Sequence, residues 1–341
     1  MIKRISMMGI IAVLMLITAC SSSSTTSDSN NNVKKEITLT HLTTGAGLGE
    51  YEWGLTVDRI LKNNHEYLRQ NSLETQGYVY NLKTFIDNYD KKEQYVVNMD
   101  PISPWLAKKK IAPFNNGLGD VELAGLMNAT WPIWLLITEN SDIKELEDLK
   151  GKNIALGPKA GAATLMVEEV LKTAGVYEDI DIEYLAFTDI TSGLLDKRID
   201  AGLVGLWYNP VTKKTIPMQT IVELDSANRK FHYIGYSEDV LNTTTKDKEF
   251  PLQVLTVPKD TIPFQQNEML TIGNADYVAV SKDFPEELAY DYVKLIIENI
   301  KDLNSTGGIG ELFTLEFLPY RIENLHPGAE RAYKEAGILK D

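Results

Sequence analysis

The stretch 148–200 constrains the fold more than any other part of this chain. A short apolar segment at 153–156 leads into a loop with Gly157, Pro158 and Gly161, and apolar residues at helical spacing then run to Gly175. Two further apolar segments follow, separated by a short helix. This β-α-β-α-β order predicts a parallel sheet with helices on its faces. Ligands of such sheets bind beyond the carboxyl ends of the strands, so the loop 157–164 is a predicted ligand contact.

The rest of the chain also alternates strands and helices. The clearest elements are a strand at 37–42 and a helix that begins after Phe284-Pro285. Less regular patterns predict a helix from about Trp53 whose apolar face includes Leu68, strands at 131–138, 220–224 and 272–280, and a polar loop at 242–249. A chain of 341 residues is long enough for two domains, and both halves predict α/β structure.

The N-terminus has the pattern of a secretory signal. Lys3 and Arg4 precede an apolar run at 7–17 that is short for a membrane span, and Ile17-Thr18-Ala19-Cys20 resembles the lipobox of bacterial lipoproteins. We therefore predict cleavage after residue 19 and lipidation of Cys20, with palmitate among the acyl groups; an uncleaved anchor is the alternative. Residues 21–32 are all Ser, Thr, Asn or Asp, which is typical of a flexible tether.

Composition and motifs argue against several classes of function. A formal charge of −14 disfavours a nucleic-acid partner, which needs a basic surface. The sequence has one cysteine, scattered histidines, and neither a Walker A nor a G-x-S-x-G motif. We expect no metal, no cofactor and no enzymatic activity.

Tryptophans and polar residues at strand ends are the candidate ligand contacts. Trp131 and Trp134 are predicted to pack in the core or at a hinge, whereas Trp207 fits a pocket and a core equally well. Asn98 and Asp100 lie at the end of a predicted strand and contact either a ligand or solvent.

Several motifs resemble one family of transport receptors. Residues 326–333 read H-P-G-A-E-R-A-Y, residues 148–152 read D-L-K-G-K, and residues 284–288 read F-P-E-E-L. These motifs resemble the TAXI-type solute receptors of tripartite ATP-independent (TRAP) transporters, which have the type II periplasmic-binding-protein fold. The similarity extends from about Ile37 to the C-terminus.

The resemblance implies two lobes, each a mostly parallel sheet flanked by helices, joined by two crossovers. Lobe 1 is expected at 36–140 plus 269–341 and lobe 2 at 141–268, after a signal at 1–19 and a tether at 20–35. Hinges are expected near 138–141 and 270–274. The implied function is a lipid-anchored, extracytoplasmic receptor that closes on a small organic solute, often an organic acid or amino acid, and delivers it to membrane permease subunits.

The family pattern also implies site residues. The expected ligand contacts from this pattern are Thr44, Gly45, Tyr51 (or Leu48 without an insertion), Tyr78, Asn81, Asp100, Lys159, Ala160, Gly161 and Ala162. Asn98 and Trp207, singled out above, complete the set of expected contacts. The second-lobe loop lacks the hydroxyl residues usual in the family, which favours an apolar, aromatic or cationic solute, although backbone N–H groups can still hold a carboxylate. The alternatives are a receptor of an ATP-driven (ABC) importer, a ligand-sensing lipoprotein and, least favoured, a secreted enzyme.

Overall fold

A computed structural model describes residues 35–46 and 49–340. Lipidation of Cys20 and the signal peptide are predictions that lie outside these residues. The chain from Glu36 onward forms one compact unit. No helix within the described ranges is long and apolar enough to cross a bilayer.

Strands and helices alternate along the described chain. The strands are β1 (Ile37–Leu42), β2 (Leu68–Leu73), β3 (Tyr95–Met99), β4 (Leu123–Thr130), β5 (Pro132–Thr138), β6 (Asn153–Leu156), β7 (Asp181–Tyr184), β8 (Ala201–Tyr208), β9 (Thr215–Pro217), β10 (His232–Ile234), β11 (Gln253–Val257), β12 (Met269–Gly273) and β13 (Asp276–Ser281). The helices are α1 (Glu50–Asn64), α2 (Tyr78–Asp87), α3 (Ile102–Lys108), α4 (Ala162–Thr173), α5 (Phe187–Leu195), α6 (Gln219–Ser226), α7 (Glu238–Asn242), α8 (Glu286–Glu298), α9 (Ile300–Asn304) and α10 (Pro327–Glu335). Short 3₁₀ segments lie at Tyr89–Gln94, Leu146–Leu149, Tyr177–Asp179 and Gly308–Leu312, and a π-helical segment at Thr243–Asp247.

The first sheet has the strand order β2-β1-β3-β13-β4. β1 is parallel to β2 and β3, while β13 is antiparallel to β3 and β4. α1 packs on this sheet through one apolar face that includes Trp53, Val57 and Ile60, each at most 1% exposed. The sequence pattern had placed Leu68 on the apolar face of α1. That prediction was wrong, because the helix ends at Asn64 and Leu68 begins β2.

The second sheet has the order β11-β12-β5-β8-β6-β7, and in addition β10 pairs with β5 and β9 pairs with β8. β6 runs parallel to both β7 and β8, and α4 and α5 connect these strands. This confirms the β-α-β-α-β unit predicted from residues 148–200. All seven residues of β5 are buried, which accounts for the apolar sequence of its first six residues.

The chain passes between the sheets at two adjacent points. Trp131 alone separates β4 from β5, and Asn274-Ala275 separate β12 from β13. The two crossings lie side by side, because the Asn274 N–H donates to Pro132 O at 3.3 Å. Each sheet and its helices form one lobe, so the predicted two-lobed α/β fold is confirmed.

The first crossing differs from the predicted hinge. β5 pairs with β8 along its whole length, so residues 138–141 lie within lobe 2 and the hinge prediction there was wrong. The predicted domain limits, 36–140 plus 269–341 and 141–268, stay a prediction. In the structure, β5 and β12 are strands of the second sheet.

Three local predictions were also wrong. Residues 220–224 form part of α6 and not a strand: Ile221 and Leu224 are buried three residues apart, whereas Val222 is 44% exposed. The predicted polar loop at 242–249 contains the end of α7 and the π-helical segment. The single strand predicted at 272–280 is divided into β12 and β13 by the second crossing.

Candidate functional site

Five helices begin at the cleft between the two lobes. α1, α2 and α3 follow the parallel strands of the first sheet, and α4 and α5 follow β6 and β7 of the second, so their N-termini converge as the parallel topology requires. The cleft has a volume of about 630 Å³. Its lining is Thr44, Gly45, Glu50, Thr75, Gln76, Gly77, Tyr78, Val79, Tyr80, Lys83, Asp100, Ser103, Pro113, Asn274 and Asp276 with, from lobe 2, Pro132, Trp134, Pro158, Lys159, Ala160, Gly161, Ala162, Ala163, Thr164, Phe187 and Trp207.

Four side-chain oxygens from lobe 1 form a closed ring beside the crossings. The Tyr78 hydroxyl lies 2.9 Å from Glu50 Oε1 and 2.7 Å from Asp276 Oδ2. Thr130 Oγ1 lies 2.6 Å from the same Glu50 oxygen and 3.2 Å from the same Asp276 oxygen. We call these four atoms the oxygen ring. Thr130 and Asp276 are cross-strand partners and the first lobe 1 residues beyond the two crossings.

Burial sets the electrostatics of this side of the cleft. Glu50, Asp276 and Asp100 are each only 1% exposed. Burial raises the pKa of Glu50 above its usual range, while hydrogen bonds from Thr130, Tyr78 and Thr44 oppose the shift. Burial raises the pKa of Asp276 well above its usual range, helped by the charges of Glu50 and Asp100. Burial also raises the pKa of Asp100 to about 6.

The lobe 2 side of the cleft is an aromatic wall. Trp134 and Phe187 stack, and Trp207 also lines the cleft. Two glycines leave room for the stacked rings: a Cβ on Gly205 would lie 2.6 Å from Trp134 Cζ3, and one on Gly157 would lie 2.9 Å from Phe187 Cζ. The wall presents flat apolar surface to a solute.

The N-terminus of α4 adds hydrogen-bond donors to lobe 2. The N–H groups of Ala162, Ala163 and Thr164 precede the first helical hydrogen bond, from Leu165 N–H to Gly161 O at 2.9 Å. The first turn of α4, all of whose residues the structure describes, has no acidic side chain that would repel an anion. The first turn of α1, by contrast, contains Glu50 and Glu52. Ala160, just before the first turn of α4, has the left-handed φ of 66°. A solute carboxylate can therefore bind here.

Nine of the twelve predicted contact residues line the cleft. They are Thr44, Gly45, Tyr78, Asp100, Lys159, Ala160, Gly161, Ala162 and Trp207. Tyr51, Asn81 and Asn98 are not among the lining residues. A role in binding stays a prediction for all twelve.

Asn81 and Asn98 have structural partners instead. The Asn81 amide donates to the backbone oxygens of Leu42, Thr43 and Asn98 at 3.2, 2.7 and 3.0 Å, which ties the end of β1 to β3. Asn98 Oδ1 lies 2.8 Å from Nε2 of the buried His41. Both amides therefore hold the strand ends that carry the cleft loops.

Five residues of the site were not predicted as ligand contacts: Glu50, Thr130, Asp276, Trp134 and Phe187. Glu50 could have been found, since it opens the helix that follows the first strand. Thr130 and Asp276 could not, because they meet only where the chain crosses between sheets. Trp134 was predicted to lie in the core or hinge; it is only 6% exposed, yet it lines the cleft.

Positive charge near the cleft is confined to its rim. Lys83 and Lys159 are the lysines of the described lining, and both are exposed. Lys159 Nζ lies 5.3 Å from the centre of the Tyr184 ring. Within the described residues, no group of three or more His, Cys, Asp or Glu side chains is arranged to hold a metal ion.

A comparison with protein families identifies residues 111–337, about two thirds of the chain, as matching the NMT1-like family model. The chain belongs to the NMT1-like family. The matched region begins before β4, the last strand of lobe 1 ahead of the first crossing. It includes all of lobe 2 and extends through α10, so it contains both crossings.

Several solved structures are similar to this NMT1-like protein. The periplasmic aliphatic sulphonate binding protein SsuA from Escherichia coli is 13% identical, with 90% of this chain and 95% of that chain covered and a TM-score of 0.44. MatC from Rhodopseudomonas palustris with bound malate is 12% identical (88% and 96% covered, TM-score 0.47), and XAC2383 from Xanthomonas citri bound to ATP is 10% identical (88% and 96% covered, TM-score 0.48). All three TM-scores lie below 0.5, so the two-lobed architecture rests on the strands and crossings described above.

Proposed function

We propose that this NMT1-like protein is an extracytoplasmic solute receptor, not an enzyme, that closes its lobes on a small organic solute and delivers it to a membrane transporter. The observation that carries the proposal is the cleft lined by both lobes, between which the described chain passes at two adjacent crossings. A solute that contacts lobe 1 and lobe 2 together favours the closed arrangement by the free energy of those shared contacts.

The transporter class is a second question, and the TRAP-type permease is our first candidate because of the C-terminal motif. In the structure this motif packs lobe 1 together. His326 Nδ1 accepts from the Gly328 N–H at 3.2 Å, and the Tyr333 hydroxyl donates to Leu126 O at 2.9 Å. A motif with these structural roles supports membership of a receptor family but is compatible with an ABC importer or a sensing role as well.

Binding is tested by a thermal-shift screen of organic acids, amino acids, amines and sugars. A true ligand at about one hundred times its Kd stabilises the protein by roughly 2.7 kcal/mol. Trp207→Ala should weaken the response, whereas Leu55→Ala, at an exposed position outside the lining, should not. If no compound shifts the melting temperature and small-angle scattering shows no closure with any of them, the receptor proposal is wrong.

The partner and the anchor need separate experiments. Uptake of the identified solute in cells distinguishes the partners: collapse of ion gradients stops a TRAP-type permease directly, whereas an ABC importer stops when ATP is depleted with the gradients maintained. Cys20→Ala should move the protein from the membrane fraction to the soluble fraction. A variant that stays in the membrane would contradict lipidation at Cys20.

A further inference from the structure

The oxygen ring does not contain enough hydrogen atoms when both of its carboxyl groups are ionised. It has four oxygen–oxygen contacts of 2.6 to 3.2 Å. The Tyr78 and Thr130 hydroxyls supply one hydrogen each, so two of the four contacts would join acceptors without a hydrogen between them. A proton on a ring carboxyl supplies a third hydrogen. Burial, which raises the pKa of both Glu50 and Asp276, favours retention of this proton.

Asn274 gives an independent indication of what the ring accepts. This residue lines the same cleft and is 1% exposed. Its amide nitrogen donates to Asp276, and its carbonyl oxygen Oδ1 has no hydrogen-bond partner among the described residues. A buried acceptor without a partner is costly, and only a group that donates hydrogen can satisfy it.

Three of the lobe 1 elements around the ring place a buried acidic side chain there. Glu50 opens α1, Asp276 opens β13, and Asp100 precedes α3, while Tyr78 on α2 contributes a neutral hydroxyl. Thr44 Oγ1 donates to the second oxygen of Glu50 at 3.1 Å. The cations of the lining, Lys83 and Lys159, lie at the exposed rim. The buried end of the cleft is therefore suited to positive charge.

We infer that the solute carries a cationic amino group, which binds at the oxygen ring beside Asn274, and that its binding expels a proton from the ring. The inference deepens the proposed function and rests on it. An ammonium group has three N–H donors and a full positive charge, so its charge allows both carboxyl groups to ionise, and its N–H groups donate to the ring oxygens in place of the contacts that lack a hydrogen. Its body is flat and apolar, because the facing wall consists of Trp134, Phe187 and Trp207.

The proton balance gives the inference a direct signature. An amine that is already an ammonium ion in solution enters with its charge, and the proton displaced from the ring carboxyl goes to solvent. Binding that releases one proton becomes about tenfold tighter for each unit of pH, as long as the unliganded ring holds the proton and the amine remains protonated. A carboxylate held by α4 would not require this release.

The experiment compares two ligands that share one ring system. Tryptamine carries an ammonium group and indole-3-propionate a carboxylate, and each is titrated calorimetrically at pH 6, 7 and 8 in buffers of different ionisation enthalpy. We expect tryptamine to bind at least tenfold tighter than indole-3-propionate, with about one proton released. Preference for the acid, or amine binding without proton release, overturns the inference and leaves the receptor proposal intact.

Variants of the ring provide the second measurement. Glu50→Gln and Asp276→Asn keep the side-chain shape and remove the ionisable group, so tryptamine affinity should fall at least tenfold and its pH dependence should flatten. Glu316→Gln, at an exposed position outside the lining, is the matched control and should leave both unchanged. Circular dichroism checks that each variant is folded.

If neither tryptamine nor indole-3-propionate binds, the wider thermal-shift screen tests the inference. If the tightest solute of the thermal-shift screen lacks a cationic group, or binds the Glu50→Gln variant as well as the wild type, the inference is overturned. If no solute binds at all, the receptor proposal fails together with it.

Discussion

Trp134 and Phe187 stack on the lobe 2 side of the cleft, with ring centroids 5.3 Å apart and ring planes 17° from parallel. Trp134 comes from β5, beside the first crossing, and Phe187 is the first residue of α5. Each ring depends on a glycine, Gly205 for Trp134 and Gly157 for Phe187, because a Cβ at either position would collide with the ring. The aromatic wall is therefore positioned by backbone approach as well as by its own contacts.

Gly205→Ala should displace the Trp134 ring and weaken solute binding. The new methyl group would lie 2.5 Å from the Met218 sulfur and 2.6 Å from the Trp134 ring, and overpacking of this kind typically costs about 1 to 3 kcal/mol. Calorimetry and chemical denaturation measure the two effects. Gly235→Ala is the control, because a Cβ there meets nothing within 4 Å. Equal behaviour of the two variants would contradict this account of the wall.

Asn81→Ala should destabilise lobe 1 and should not act through a lost ligand contact. The Asn81 amide donates to three backbone oxygens and lies outside the cleft lining, so its removal leaves buried acceptors without a donor, at about 1 to 3 kcal/mol each in the worst case. We expect a lower denaturation midpoint and solute affinity within threefold of the wild type at a temperature where the variant is folded. A folded, stable variant that has lost binding would return Asn81 to the binding site.

Local sequence patterns were sufficient for much of the fold. Residues 153–208 alternate strand and helix with clear punctuation at Gly161 and Gly175, and the structure has the predicted parallel order there. The strand prediction for residues 220–224 failed because a short segment with three apolar residues fits a strand or a helix equally well, and only the contact with lobe 2 decides. The prediction of the first hinge at 138–141 failed for another reason. β4 and β5 have only Trp131 between them, and nothing local shows that they belong to different sheets.

The residues of the candidate site also fall into those that local sequence predicts and those that depend on tertiary contacts. Loop positions such as Thr44, Gly45 and Ala160 were predictable, because the carboxyl ends of parallel strands determine which loops meet. The oxygen ring was not, because its members are separated by up to 226 residues and depend on the register of β13 against β4. A single sequence does not specify that register.

Asp100→Asn should stabilise the protein at neutral pH and leave it unchanged near pH 4. Burial raises the pKa of Asp100 from 3.8 to about 6, so between these values the unfolded chain ionises while the native carboxyl keeps its proton. Stability is therefore lost as pH rises through this window, by roughly 3 kcal/mol at most. Asparagine avoids the loss, and its Oδ1 can still accept the Ser103 N–H that Asp100 accepts at 2.9 Å.

The measurement is urea denaturation of both proteins from pH 4 to 8. His41 acts in the opposite direction, because burial lowers its pKa to about 4, so its contribution to stability is lost as pH falls below 6.5. The two effects partly cancel in the wild type. The difference between the wild type and Asp100→Asn isolates the carboxyl, and a difference that does not change with pH would contradict the assigned shift.

Trp105→Ala should weaken solute binding although Trp105 does not line the cleft. Trp105 on α3 of lobe 1 meets Phe250 of lobe 2 edge to face, with ring centroids 5.1 Å apart, and neither ring belongs to the cleft lining. This contact joins the lobes only when they are close together, so its loss favours separation. An aromatic pair worth about 0.5 to 1.5 kcal/mol corresponds to a roughly two- to tenfold rise in Kd.

Two matched variants show whether closure is the cause. Lys109→Ala removes the neighbouring interlobe ion pair with Glu249, which spans 3.3 Å between two exposed side chains and should change Kd by less than twofold. Trp105→Phe keeps an aromatic ring against Phe250 and should restore most of the affinity. Small-angle scattering should then show a larger fraction of open protein for Trp105→Ala at equal solute concentration. Unchanged affinity and scattering for this variant would mean that the Trp105–Phe250 contact does not favour the closed state.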